Sequence, residues 1–306
     1  MNLTVIIVPN KRLGMVSEPW QNYVYKNVRK KELSDEPKVY YIFFSLRNVL
    51  RLIIYRLIFR RKVIIDIRTD SVRSGKFGYY LRLVALRMSN AAVVISKEFA
   101  NKYKITDRRS LVVSCMLYDD NGVDINIQEA AGTIYLGTID ETRPILNWVT
   151  SLSKYNQFLP IKIYGKSFDR ELIAKIESLD NVQYMDEIES SKVFKEMGKF
   201  RYAINPLDPK IYSVQPSLKI LEYLYCGCIV LSTNTDGIRS QLSEITRDLD
   251  ELPVLLIDEN LGSREIHAAS DITLNLDKVR DIQKKLPRAS EKLNELHVFI
   301  ASVVNA

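Results

Sequence analysis

Histidine is nearly missing from this chain of 306 residues: His267 and His297 are the only two. Both come late, so a histidine-dependent triad toward the N-terminus is excluded. Cysteine is scarce and odd in number, with Cys115, Cys226 and Cys228. That excludes a disulfide framework and leads us to expect a reduced, cytoplasmic setting. Cys226-Gly227-Cys228 lacks the two-residue spacer of a zinc knuckle and has no second pair, so it reads as packing. Glycine and proline are not enriched, at 11 and 10 residues, which argues against long disorder. No Gly-x-Gly-x-x-Gly follows the first apolar run, since Pro9-Asn10-Lys11-Arg12-Leu13-Gly14 is too poor in glycine, and no Walker loop is present. No apolar run reaches the ~18 residues of a membrane span. The nearest, Val39 to Phe59, is broken by Arg47, Arg51 and Arg56. Residues 1–9 lack a basic n-region, so no secretory leader is expected.

What the chain does have is a nearly regular alternation of short apolar runs and helical segments. Thr4–Val8, Lys38–Phe44, Val63–Ile67, Ala91–Ser96 and Leu111–Ser114 read as strands, with helices over Trp20–Lys31, Leu46–Arg61, Phe77–Met88 and near Glu98–Lys104. A second series of strands covers Thr133–Ile139, Ile161–Gly165, Val182–Met185, Tyr202–Asn205, Cys228–Ser232 and Val254–Ile257, with helices starting near Pro144, Asp169, Ser191, Pro216 and Gly237. Continuous apolar strands alternating with helices predict parallel sheets covered on both faces. The expectation is an α/β chain of two Rossmann-like domains, residues 1–125 and 126–270, joined by the polar stretch Tyr118–Ala131. A charged helical tail, 271–306, would pack back across them.

Charge divides near the same place. Residues 1–109 carry 23 Lys and Arg against 8 Asp and Glu, a net of +15, and the remainder carries a net of −8. The first domain is therefore expected to meet something anionic. Leu46, Val49, Leu50, Ile53, Ile54, Leu57 and Ile58 follow helical spacing among Arg47, Arg51, Arg56, Arg60 and Arg61. This amphipathic pattern has two readings: a core-packing helix with a snorkelling arginine face, or contact with anionic headgroups or a lipid-pyrophosphate acceptor. No nucleic-acid motif accompanies the charge, and no nucleic-acid partner is expected.

The densest signal is the run PSLKILEYLYCGCIVLS, Pro216 to Ser232. Proline suits a first helical turn. Ser217, Leu218 and Lys219 follow in that turn, where backbone N–H groups and the helix dipole favour an anion. Glu222 lies one turn on, Gly227 can end the helix, and Cys228–Ser232 is an apolar strand. A phosphate-ready helix start with an acid just inside suits a nucleotide sugar: pyrophosphate on the N–H groups, ribose hydroxyls on the carboxylate. The run resembles the donor-site helix of GT-B glycosyltransferases of the group 1, family 4 kind, whose pattern passes from a glutamate to a small residue, a glycine and an apolar strand.

The resemblance implies a GT-B architecture, two Rossmann-like domains whose sheets face a cleft, and a retaining hexosyl transfer from a UDP-type sugar donor. Gly137 would end the first strand of the second domain. Arg143 stands where the family places a phosphate-binding lysine, while Thr138 replaces the family's arginine. Arg143 and Lys219 are the implied catalytic cations. Lys166, after the strand ending in Gly165, could add charge, and Met185 ends the strand before the loop that would contact the base. The loop 205–213 would line the sugar pocket, with Asp208 and Tyr212 as polar candidates. Val214 stands where the family often has a second glutamate. In the first domain, Val63–Asp70 resembles a family strand end and makes Asp66, Arg68 and Asp70 acceptor-side candidates, because strand ends of open α/β sheets line the ligand crevice; the alternative for the three is a buried, ion-paired strand terminus.

No cofactor and no metal are expected, since GT-B enzymes typically need no metal. The reading is a cytoplasmic glycosyltransferase, peripheral on the inner face of a membrane. It would serve a glycan or lipid-linked acceptor in bacterial surface polysaccharide or glycoconjugate synthesis. A non-hydrolysing sugar epimerase is a rival, against which stands the missing cleft histidine. A non-catalytic GT-B-like subunit supporting a partner glycosyltransferase is the other, with Thr138 and Val214 in its favour.

Overall fold

The computed structural model describes residues 5–8, 20, 24, 39–68, 75–117, 128–258 and 261–305. Asp70, the linker up to residue 127, and the helix expected over Trp20–Lys31, apart from Trp20 and Val24, lie outside the described residues. The chain divides into two compact units: Met1–Asp119 with Val214–Pro216 and Pro287–Ala306, and Asp120–Ser213 with Ser217–Leu286. Each holds a fully parallel sheet, so the molecule is an α/β protein with two Rossmann-like layers of strand and helix.

In the first unit β1 (Val5–Val8), β2 (Val39–Phe43), β3 (Lys62–Ile67), β4 (Ala91–Val94) and β5 (Ser110–Val112) lie side by side in chain order. Strand side chains alternate between faces. Tyr41, Phe43, Ile64 and Val93 therefore go to one cluster, and Ile42, Ile65, Ile67 and Val94 to the other. The second face is covered by α1 (Leu46–Ile53), α2 (Gly75–Met88) and α3 (Lys97–Lys102), which follow β2, β3 and β4 in turn. Right-handed crossovers that always step the same way along a sheet put their helices on one side. The other face takes Trp20 and Val24 from the connection between β1 and β2, and it is closed from the far end of the chain by Ala289, Leu293, Leu296 and Ile300.

In the second unit the strands are β6 (Thr133–Leu136), β7 (Ile161–Tyr164), β8 (Val182–Tyr184), β9 (Tyr202–Asn205), β10 (Ile229–Thr233) and β11 (Val254–Ile257). Their spatial order is β11-β10-β9-β6-β7-β8. The chain steps outward from β6 to β8, returns to the other side of β6, and steps outward again. Helices α4 (Ile145–Leu152), α5 (Arg170–Glu177), α6 (Val193–Met197), α7 (Pro209–Tyr212), α8 (Leu218–Tyr225), α9 (Asp236–Ser243) and α10 (Ser263–Asp271) alternate with or follow the strands. One core lies between the sheet and α4, α5 and α10, through Trp148, Val149, Leu152, Ile176, Ile266 and Ala269. Cys226 and Cys228 are buried, and burial pushes the Cys228 thiol up to about 12, so both act as packing, with the Cys228 Sγ 3.4 Å from the Phe200 carbonyl.

The tail over 271–306 is not one element. Helix α11 (Leu276–Lys285) packs on α8 in the second unit, and Gln283 donates to the Tyr225 carbonyl at 2.7 Å. Helix α12 (Ala289–Asn305) belongs to the first. Leu286-Pro287 separates them: the residue before a proline is held out of the helical region, and Leu286 has ψ 134°.

Candidate functional site

Open parallel sheets bind ligands beyond the carboxyl ends of their strands, where the strand order reverses. The first sheet runs in order and has no such reversal among its described strands. The second has one, between β6 and β9. The segments leaving those two strands touch. The Thr142 hydroxyl is 3.0 Å from the Tyr212 hydroxyl, Asp208 N–H donates to the Thr142 carbonyl at 3.1 Å, and the Arg143 guanidinium lies 5.4 Å from the Tyr212 ring centre. Pro209 at the start of α7 and the Asp208 side chain, which accepts from Lys210 N–H at 2.8 Å, hold that short helix and its tyrosine in place.

Arg143 is partly exposed and also pairs with Asp140, at 3.3 Å. The same carboxylate accepts from Thr142 N–H at 3.0 Å and from the Thr142 hydroxyl. Asp140 thus folds the loop after β6 into a turn and orients Arg143. Beside it, the Gly137 N–H donates to the Tyr164 carbonyl at 3.0 Å, and Gly165 N–H to Asp186 at 2.9 Å, which carries the sheet past its strands. Gly165 has φ +143°, and a Cβ there would sit 1.7 Å from the Gly137 carbonyl oxygen. Only glycine lets these two loops meet. The Tyr135 hydroxyl ties down Thr138 through its carbonyl, at 2.6 Å.

Helix α8 follows β9 and α7. Its first turn has no side-chain cap, although Ser217 occupies the N-cap position, where serine usually caps. The Ser217 hydroxyl instead donates to Asn205 Oδ1 at 3.0 Å, and Asn205 Nδ2 donates to Ser232 Oγ at 2.9 Å. The buried Gln241 amide grips the Ser217 backbone from both sides, accepting its N–H at 2.8 Å and donating to its carbonyl at 3.0 Å. The Ser217 side chain is turned away from the N–H groups of Leu218, Lys219 and Ile220. A helix start presented in this way favours an anion. One turn on, Lys219 Nζ meets Glu222 Oε2 at 2.6 Å, with the glutamate side chain only 13% exposed. Tyr223, buried behind them, accepts the Leu136 N–H at 2.9 Å and pins α8 to β6.

Several expected site residues therefore share the carboxyl edge of one sheet: Gly137 and Arg143 after β6, Tyr212 after β9, and Ser217, Leu218, Lys219 and Glu222 on α8. Lys166 and Met185 lie on the same edge, after β7 and β8, and both are exposed. The Lys166 Nζ is 5.1 Å from the ring centre of Phe168, which is itself 85% exposed. Asp140, Thr142 and Gln241 have no role in the sequence reading, and Asn205 enters it only as the first residue of the loop 205–213. A single Gln on a helix or Asn at a strand end carries no spacing signal, because what each holds is distant in sequence.

Asp66 and Arg68, the acceptor-side candidates, lie in a hydrogen-bonded network of the first unit, as the ion-paired reading of this strand end requires. Asp66 is fully buried and accepts from Trp20 Nε1 at 3.1 Å, the Tyr41 hydroxyl, and Arg68 Nε at 2.7 Å. Arg68 also donates to the Val113 carbonyl and stacks 4.9 Å from the Trp20 ring centre. A carboxylate taken out of water must be paired and hydrogen-bonded, and this one has its oxygens committed to holding β2, β3 and the segment after β5 together. Burial and the Asp66 charge push the Tyr41 hydroxyl well above its usual range, so it stays a donor. Val214 is likewise structural: it packs on the core between the first sheet and α1–α3, and its carbonyl accepts the Ser96 hydroxyl at 2.7 Å. Among the described residues no three His, Cys, Asp or Glu side chains gather where they could hold a metal ion.

No protein-family model matches the sequence, and no curated protein matches it. Solved structures do share the fold. Anabaena HepE, solved with UDP, is 11% identical with a TM-score of 0.65 over 87% of this chain and 79% of its own. A glycosyltransferase of Rickettsia africae is 14% identical with a TM-score of 0.55 over 100% of this chain and 94% of its own. The N-terminal domain of Candida albicans trehalose-6-phosphate phosphatase is 10% identical, with a TM-score of 0.65 over 92% and 73%. The two-unit parallel α/β architecture is thus one that glycosyltransferases use.

Proposed function

We propose that the second unit binds a nucleoside diphosphate sugar and that the protein is a glycosyltransferase. The observation that carries this reading is α8 at the strand-order reversal: an N-terminus without a side-chain cap, gripped from behind by Gln241, with Glu222 one turn in and Arg143 on the adjoining loop. Anabaena HepE, which shares the fold, was solved with UDP and with UDP-glucose, and this supports a uridine diphosphate donor. In this reading the diphosphate lies on the first-turn N–H groups, and Glu222 accepts from the ribose hydroxyls. Arg143 and Lys219 meet the charge that grows on the diphosphate as its bond to the sugar breaks.

The family resemblance supports retention. The acceptor hydroxyl adds to the anomeric carbon on the face the diphosphate leaves, and its proton passes to a diphosphate oxygen, so no protein base is needed. The acceptor would be a glycan or a lipid-linked sugar of surface polysaccharide or glycoconjugate synthesis. Both cations already have a carboxylate partner, Arg143 with Asp140 and Lys219 with Glu222. A diphosphate would share or displace these partners, and the pairs hold the side chains oriented meanwhile.

A thermal-unfolding panel tests the reading, because a ligand of the native state raises the melting temperature by mass action. UDP or a UDP-sugar should raise it, and release of UDP on adding lipid-linked acceptors should follow. If no nucleoside diphosphate shifts the transition, the reading falls. The second reading, a binding subunit without chemistry, is favoured by Val214, which lies in a core where the family often carries a glutamate. It requires a UDP shift with no UDP release for any donor and acceptor pair.

A further inference from the structure

The helix expected over Leu46–Arg61 runs from Leu46 to Ile58, changes type on the way, and is not a simple core helix. Helix α1 ends at Ile53 and passes into a π turn over Ile54–Ile58, closed by Phe59 N–H to the Ile54 carbonyl at 3.3 Å and Arg61 N–H to Tyr55 at 3.0 Å. Of its apolar stripe, Val49 is buried, while Leu50, Ile54, Leu57 and Ile58 are 61%, 42%, 63% and 69% exposed. Phe59 is exposed as well. The neighbouring helix α2 packs against α1 and adds exposed Phe77, Tyr79, Tyr80 and Val84. Helix α1, the π turn with Phe59 after it, and α2 carry nine of the thirteen exposed large hydrophobic residues described. Such a concentration is not the scattered apolar surface that soluble proteins normally show.

Charge says what covers it. There is no Asp or Glu from Pro37 to Ile65, or from Ser71 to Lys97. The one described acid between them, Asp66, is buried in its own network. Over the same stretches Arg47, Arg51, Arg56, Arg60, Lys76 and Arg87 are spread among the apolar side chains. Arg60 leaves the π turn at φ 49° and is exposed. An apolar surface whose own segments carry cations and, among the described residues, no exposed carboxylate matches a bilayer with anionic headgroups, where apolar side chains enter the acyl boundary and arginines meet phosphates. No described helix is long and apolar enough to cross a membrane, so contact would be in the plane of the surface.

We propose that α1, the π turn and α2 form a docking face for an anionic lipid bilayer. Flotation of the full chain with vesicles tests it. Binding is expected to phosphatidylcholine vesicles containing phosphatidylglycerol, and not to phosphatidylcholine alone. It should fall between low and high salt, as screened charge requires. The triple variant Leu57→Ser, Ile58→Ser, Phe59→Ser, changed only at exposed positions, should keep the parent melting temperature and its response to UDP while bound protein falls about tenfold or more. Arg47→Gln with Arg60→Gln should weaken binding and flatten its salt dependence. Failure to bind anionic vesicles, or equal binding by the triple variant, overturns the proposal. So does a concentration-dependent dimer that the triple variant abolishes in a protein that ignores vesicles. None of these readouts depends on the donor site, so either proposal can fail alone.

Discussion

At the scale of single residues, three positions carry separable expectations. Glu222 is mostly buried and held by Lys219. Glu222→Gln keeps the shape and loses the charge, so UDP affinity measured by calorimetry should weaken by roughly 1–3 kcal/mol, the worth of a hydrogen bond to a charged group. Unchanged affinity in a folded variant would remove Glu222 from the site. Arg143→Ala should act differently. If the guanidinium meets charge that develops only as the bond breaks, turnover should fall by about one to two orders of magnitude with a smaller change in donor affinity. Equal losses in both would make Arg143 a plain binding residue. Gly165 is a matter of stability: at φ +143° and in contact with the Gly137 carbonyl, Gly165→Ala should cost about 1–3 kcal/mol or more of strain, read as a lower urea midpoint.

At the scale of the element, α8 depends on what stands behind it. Its own start has no side-chain cap, and its position comes from Gln241 on α9 and from Tyr223 reaching β6. Gln241→Leu would leave the Ser217 N–H without its partner in a part-buried place, at about 1–3 kcal/mol, while the Ser217 carbonyl, as the N-cap acceptor of the first helical bond, would lose only its second donor. The variant should unfold at lower denaturant and bind UDP more weakly, although Gln241 itself is buried away from solvent. Thr235 provides an internal comparison, because it caps α9 through its own hydroxyl at 3.3 Å to Ile238 N–H. Thr235→Ala should lower stability by about 1 kcal/mol, the usual worth of a cap, and leave UDP affinity nearly unchanged. If Gln241→Leu and Thr235→Ala affect binding alike, α8 is not specially held.

At the scale of the whole molecule, the C-terminal helix completes a unit that begins at the other end of the chain. Leu293, Leu296 and Ile300 fill the face of the first sheet opposite α1, α2 and α3, beside Trp20 and Val24. Burying each such side chain is worth about 1.5–3 kcal/mol, and their sum approaches a typical total stability of ~5–15 kcal/mol. Ending the chain at residue 286 should therefore unfold the first unit, with early proteolytic cleavage between residues 39 and 117, while the second unit persists. A truncated chain as resistant as the parent would show that α12 is dispensable.

Local pattern was enough for the strands. Runs such as Val63–Ile65 and Ile229–Leu231 are apolar at every position, as a strand buried on both faces requires, and the strands β3 and β10 that contain them lie within a residue of where periodicity puts them. Pro216 and Gly227 bracket α8 for the same reason: each acts through its own backbone, not through a partner. Strand order is another matter. Nothing in either run says that β9 returns to lie beside β6, and it is that return which brings Thr142 against Tyr212 from seventy residues away. The acidic strand end at Asp66 reads as a cleft residue or as an ion-paired terminus until Trp20, Tyr41 and Arg68 are seen around it. The apolar stripe from Leu46 to Ile58 has two readings in the sequence, core or surface contact, until the sheet proves to be covered by Val49 and Leu52, with Leu50, Leu57 and Ile58 exposed. Spacing states which residues share a face of a helix or strand, because that follows from backbone geometry alone. What the face meets is decided by contacts distant in sequence, and those exist only once the chain is folded.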